Sequence, residues 1–221
     1  MKSMVRALFL VGTLMLSLAA SAGASTYPVA VHDTVYIGNG PGIQHGGEFY
    51  VNDSTGTYLF SSFCLERDEN INYSDPFTVA SISDSAQLGG MNTNAGDLLD
   101  QKTKWLYWNF VQGTLHNKVP DFTYGDVKSN DALQLLIWNT EDENPSYSDD
   151  YDSLIAALSD AYDKRNPNDI IGDVKALNLV YSDGRYAQSL LVAAVPEPGT
   201  MVLLGMGMLG LAVFGKRRTN R

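Results

Sequence analysis

Cys64 is the one cysteine in this chain of 221 residues, and Gln134 stands 70 residues further on in a stretch whose apolar residues recur at helical spacing. A lone thiol on an exported chain cannot close an internal disulfide, so the sulfur is idle, paired with another molecule, or bonded to something other than sulfur. A thiol pressed against a carboxamide can expel ammonia and leave a thioester. An amide is ordinarily inert to a thiol, but enforced proximity supplies effective molarities of about 10⁵ to 10⁸ M. The step needs a group to take the thiol proton and protonate the departing amine; Glu141, Tyr107 and His116 are candidate helpers, and the sequence does not choose among them.

The elements that would position the pair are legible in outline. Residues 27–37 alternate and are rich in strand formers; residues 48–51 and 57–65 read as a hairpin around the turn 52–56, and residues 77–82 as a further strand. Helical periodicity then takes over: Leu98, Leu99, Trp105, Leu106 and Phe110; Leu133, Leu136 and Ile137; Leu154, Ile155, Leu158 and Tyr162. Asn130 or Asp131 is the expected N-cap of the second helix, and residues 149–152 that of the third. Residues 173–181 and 185–193 read as a closing hairpin. The expectation is an α+β domain, a β-sandwich or barrel-like sheet with a helical insertion. Cys64 falls near a strand end, and Gln134 shares one helix face with Ile137, Trp138 and Glu141. Phe63, Trp105, Tyr107, Trp108 and Trp138 would exclude water from a bond formed there.

Both chain ends read as targeting segments. Lys2 and Arg6 precede an apolar run over residues 7–20, and the small-residue patterns at 20–22 and 22–24 complete a signal peptide, residues 1–24. At the other end, residues 195–199 lead into the uncharged stretch 200–214 and then Lys216, Arg217 and Arg218. Fifteen helical residues reach only ~22 Å of a ~30 Å hydrocarbon core, which makes a short, marginal transmembrane helix. The basic cluster stays cytoplasmic under the positive-inside rule and leaves the bulk of the chain outside. The domain is therefore expected over residues 25–194, with a sorting and anchor segment over 195–221.

The whole chain carries a formal charge of −10, but residues 25–195 hold 9 Lys and Arg against 24 Asp and Glu, a net −15 that the basic ends partly offset. Such a surface repels nucleic acid. His32, His45 and His116 lack zinc-ligand spacing, and the acidic run at 149–152 lacks a calcium-loop pattern, so no metal or other cofactor is expected. There is no nucleophile elbow, phosphate-binding loop or dinucleotide fingerprint.

The tail resembles the PEP-CTERM proteins of Gram-negative bacteria, through Pro196-Glu197-Pro198, the apolar helix and the Lys216-Arg217-Arg218 end. The resemblance implies an exosortase as partner, membrane anchoring through the C-terminal helix before processing, and then a place at the cell surface or in the extracellular matrix. The middle resembles the thioester domains of bacterial surface proteins, through Phe63-Cys64-Leu65-Glu66 and Leu133-Gln134-Leu135-Leu136-Ile137-Trp138. Gly46-Gly47-Glu48-Phe49, Trp105-Leu106-Tyr107, Gly113-Thr114-Leu115 and Glu141-Asp142-Glu143 extend that likeness, whereas Leu136 stands where Gram-positive members commonly carry alanine. This resemblance implies an internal Cys-Gln thioester and single-turnover covalent attachment to an amine or hydroxyl on an unknown surface or matrix target, not an enzyme in the turnover sense.

Two other readings stay open at this point. The first is a noncovalent structural or carbohydrate-binding β-domain of an exopolysaccharide matrix, in which Cys64 is a small buried hydrophobe and the Trp138 face is plain core. The weaker one is a hydrolase with Cys64 as nucleophile, for which His116 is the one candidate base.

Overall fold

A computed structural model describes residues 25–42, 46–69, 71–73, 75–88 and 96–196. The expected signal peptide at 1–24 and the expected C-terminal helix lie outside these residues, and no helix among the described residues is long and apolar enough to cross a membrane. The chain divides into two compact units, of which residues 27–194 form the larger. In the other, β1 (Ser25–Thr26) pairs antiparallel with β10 (Val195–Pro196), with Ser25 opposite Pro196.

The larger unit is built on one antiparallel sheet. Its strands are β2 (Thr34–Asn39), β3 (Phe49–Asn52), β4 (Tyr58–Ser62), β5 (Pro76–Ser83), β8 (Val174–Tyr181) and β9 (Leu190–Ala193), in the order β4-β3-β2-β5-β8-β9. Two short strands, β6 (Ser85–Ala86) and β7 (Asp97–Leu98), pair separately. Alternate residues of β2 and β3 turn inward, Val35, Ile37, Phe49 and Val51 among them, as a half-buried sheet requires. Register irregularities in the β3–β4 and β5–β8 pairs bend the strands.

The sheet curls until its two edges meet. Just past β4, the Leu191 N–H donates to the Phe63 carbonyl at 3.1 Å and the Leu65 N–H donates to the Ser189 carbonyl at 3.0 Å, with Cys64 bridged to Leu190 between them. The Ser62 hydroxyl adds a bond to the Leu191 carbonyl at 2.6 Å. Of the expected sandwich or barrel-like sheet, the curled, barrel-like form is the one observed.

The helical insertion lies between β7 and β8: α1 (Gln101–Val111), α2 (Leu115–Lys118), α3 (Val127–Thr140), a 3₁₀ turn (Asp149–Tyr151) and α4 (Asp152–Asp163). Helix α1 starts at 101 because the Asp100 carboxylate accepts the Lys102 N–H at 2.6 Å, so Leu98 and Leu99 precede it and Leu98 is exposed. Helix α3 starts a turn before the expected caps. Asp126 holds the Ser129 N–H at 2.9 Å, and Asn130 and Asp131 become buried polar residues of the helix. Every residue from Ser129 to Trp138 is buried, so α3 has no solvent face over its middle turns and its stripe pattern is weak in consequence. The first expected strand is shorter than residues 27–37, because residues 30–33 form a turn with His32 at φ 76° before β2 begins.

Candidate functional site

Cys64 sits on the seam where the sheet closes. Its strand neighbours, Phe63 and Leu65, spend their hydrogen bonds on Leu191 and Ser189, which leaves the N–H and C=O of Cys64 facing the opposite edge. Gln134, projecting from α3, occupies that edge. Its Oε1 accepts the Cys64 N–H at 2.9 Å and its Nε2 donates to the Cys64 carbonyl at 2.8 Å. One carboxamide thus does the work of a strand partner for a single residue, and both Cys64 and Gln134 are buried.

A cavity of about 300 Å³ opens beside Cys64, walled by Phe49, Tyr73 and Trp138 with Arg67, Glu69 and Gln188. The rings of Phe49 and Tyr73 stack with centroids 6.1 Å apart. Gly46 also lines it, and a Cβ there would lie 3.3 Å from Trp138 Cη2 and 3.4 Å from Gln134 Cγ. Its φ is +94°, a conformation that favours glycine. Gly47 must be glycine more strictly: at φ +64°, its Cβ would come within 2.6 Å of Gly42 Cα and 2.8 Å of the Pro41 carbonyl. Glu48 is buried and accepts from Asn130 Nδ2 of α3 at 3.0 Å. The Gly46-Gly47-Glu48-Phe49 stretch therefore lays the chain flat over α3, fastens it, and places an aromatic wall.

The thiol is held in its neutral form. Burial raises its pKa well above the usual thiol range, and the charge of Glu66 pushes it the same way, while the Gln188 side chain opposes both. Glu66 is buried, and desolvation lifts its pKa to about 7 against bonds from the Ser189 and Leu88 N–H groups at 2.7 and 2.8 Å. The Ser189 hydroxyl lies 2.8 Å from Asn178 Oδ1 and 3.1 Å from Glu66 Oε1. Gln188 fastens this corner by donating to the Glu66 carbonyl.

The three expected helpers lie elsewhere. The Glu141 carboxylate accepts the Asp100 N–H at 3.2 Å at the start of α1, where burial raises its pKa to about 7. The Tyr107 hydroxyl donates to the Ser61 carbonyl at 2.8 Å within the core, and burial holds its pKa far above the phenol range. His116 Nδ1 is 2.7 Å from the Phe122 carbonyl beside α2. None of the three lines the Cys64 cavity. Among the expected shielding residues, Trp138 does line it, but Phe63 packs edge-on against Phe110 at 4.9 Å, Trp105 against Tyr162 at 5.7 Å, and Trp108 over Gly172. Phe49, Tyr73 and Gln188 line the cavity beside Trp138, and the charge of Glu66 acts on the thiol. Glu66 stood in the cysteine motif without a role, and Gln188 carried only the weak signal of an amide inside the apolar run 187–194.

Residues 194–218 match the PEP-CTERM protein-sorting motif. That motif marks an exported protein, recognised by an exosortase through a C-terminal anchor that is processed on the way to the cell surface. Pro196 is the last residue of β10, and Glu197, Pro198, Lys216, Arg217 and Arg218 lie outside the described residues. No curated protein and no solved structure matches the chain. The motif match ends at the edge of the larger unit, so the chemistry of that unit is argued from its site.

Proposed function

We propose that this exported domain forms an internal thioester between Cys64 and Gln134 and uses it once, to attach itself covalently to an amine or hydroxyl on a surface or matrix partner. The observation that carries this reading is the double hydrogen bond that holds the Gln134 carboxamide against the Cys64 main chain at 2.9 and 2.8 Å. Two groups fixed in this way have already lost the entropy that separates an inert amide from a reactive one. In the forming step Sγ bonds to the Gln134 carbonyl carbon, the C–N bond breaks, and ammonia leaves with the two amide hydrogens and the thiol proton. In the capture step a nucleophile bonds to that carbon, the C–S bond breaks, and its proton passes to the sulfur.

The site supports the electrostatics of both steps. The Cys64 N–H already points at Gln134 Oε1, the atom that gains negative charge in either tetrahedral intermediate. The neutral thiol needs a proton acceptor, and Glu66, whose charge acts on the thiol and whose pKa lies near neutrality, takes the helper role from Glu141, Tyr107 and His116. The aromatic walls of the cavity admit a partner side chain while limiting water.

Intact mass of the purified domain tests this. The expected mass is the sequence mass less one ammonia, and methylamine should add to Gln134 and free the thiol. Full sequence mass in native protein, with methylamine inert, overturns the reading and leaves Gln134 as a noncovalent fastener of the seam.

A further inference from the structure

The Cys64 N–H fills one lone-pair direction on Gln134 Oε1, and an sp² oxygen offers two. Trp138 follows Gln134 by four residues on α3, so the two side chains rise from the same helix face with Cβ atoms ~5–6 Å apart. Both touch the space over Gly46, and Trp138 shares the walls of the cavity with Cys64. The indole is only 6 % exposed, yet its Nε1–H meets no acceptor among the described residues. A buried donor left unpaired destabilises the fold, and a phenylalanine would fill the same apolar wall without that cost. Each unpaired buried donor calls for an explanation, and of the described residues that carry such an atom, Trp138 alone lines the Cys64 cavity.

We infer that the Trp138 indole N–H is the second donor of the oxyanion hole, taking up the Gln134 acyl oxygen when it turns tetrahedral. The inference rests on the thioester reading and adds to it a donor for the reacting acyl oxygen. With Cys64 N–H on one side and the indole on the other, the site gains its second bond only as negative charge develops. This differential stabilisation is what lowers a barrier. Attack by the partner's amine or hydroxyl and the reverse attack by the thiol pass through the same oxyanion, so both steps draw on it.

The test replaces Trp138 in the full-length exported chain with β-(3-benzothienyl)alanine, which keeps the bicyclic shape and lacks the N–H, and in parallel makes Trp138→Phe. Methylamine capture is followed by intact mass, and folding by thermal melting. Capture slowed about 100-fold in the benzothienyl protein, with its melting temperature at or above that of the parent, is the expected result. Capture at the parent rate in that protein overturns the inference while leaving the thioester reading standing. Absence of ammonia loss from the parent overturns both. The phenylalanine variant should follow the benzothienyl one; a slow phenylalanine variant beside a benzothienyl protein of parent rate assigns Trp138 to packing and also overturns the inference.

Discussion

The side chain of Gln134 bonds to the main chain of Cys64 at both its N–H and its carbonyl, at 2.9 and 2.8 Å, without using the sulfur. The two residues therefore contribute unequally to the fold. Removing the thiol leaves the fastener intact, whereas removing the carboxamide strips a buried strand residue of both partners.

Cys64→Ala should cost roughly 1 kcal/mol of stability, the value of a small buried group, and abolish covalent capture. Gln134→Ala should cost about 2–5 kcal/mol, from the unpaired N–H and C=O and the void beneath Gly46. Urea denaturation of both variants checks this. The structure thus separates the two variants, and Cys64→Ala is the cleaner probe of chemistry. Equal losses would show that Gln134 does not hold the seam.

Gly47→Ala should destabilise by about 2–3 kcal/mol or prevent folding, because its Cβ would meet the Gly42 backbone at 2.6 Å at a positive φ. Gly46→Ala should cost less, since its nearest neighbours at 3.3 and 3.4 Å are side-chain atoms. It should also displace the indole, visible as a change in tryptophan fluorescence. Denaturation midpoints in the order parent, Gly46→Ala, Gly47→Ala would agree.

The buried carboxyls Glu66 and Glu141 each have a folded-state pKa of about 7 against an ordinary 4.5. The folded protein thus holds protons that the unfolded chain releases, so their stabilisation is whole below pH 4.5 and is lost as pH rises through 7. Across that window each contributes a slope of up to about 1.4 kcal/mol per pH unit. Melting temperature should fall between pH 5 and pH 8, and Glu66→Gln with Glu141→Gln should flatten the curve. A parent protein equally stable at both pH values would contradict the burial argument.

A chain ending at residue 194 keeps the larger unit, 27–194, and loses the sorting motif. It should melt cooperatively in vitro and be released from exosortase-dependent sorting in vivo, as read by fractionation and immunoblotting. Unaltered surface sorting of the truncated chain would contradict recognition through that tail.

Much of the fold is local and was legible for that reason. The hairpin turn around residues 52–56, the long helical periods and the closing hairpin all announce themselves within a dozen residues. The closure of the sheet does not, because it joins Phe63 to Leu191 through backbone groups that carry no side-chain signature. The surroundings of α3 are hidden for another reason: a helix buried on every side has no polar face to set its phase, so its pattern points to a cap at Asn130 or Asp131 instead of Asp126. Glu141 shares the Gln134 stripe in the sequence, but it ends the helix and turns to cap α1. At the site, Cys64, Gln134 and Trp138 were readable from their motifs. Phe49, Tyr73 and Gln188 arrive through tertiary packing from three other stretches of chain, and the role of Glu66 in the cysteine motif shows only through its bonds to Ser189 and Leu88.

The bridge from Cys64 to Leu190 spans most of the domain's length, and its consequence is one of timing. An exported polypeptide emerges from the inner membrane N-terminus first, so Cys64 is outside long before Leu190 follows. Ring closure draws together residues so distant along the chain that it falls late in folding. On the thioester reading, the seam that buries the sulfur beside the amide would thus close only late in export, and the acyl group would form after the chain has passed the machinery that threads it.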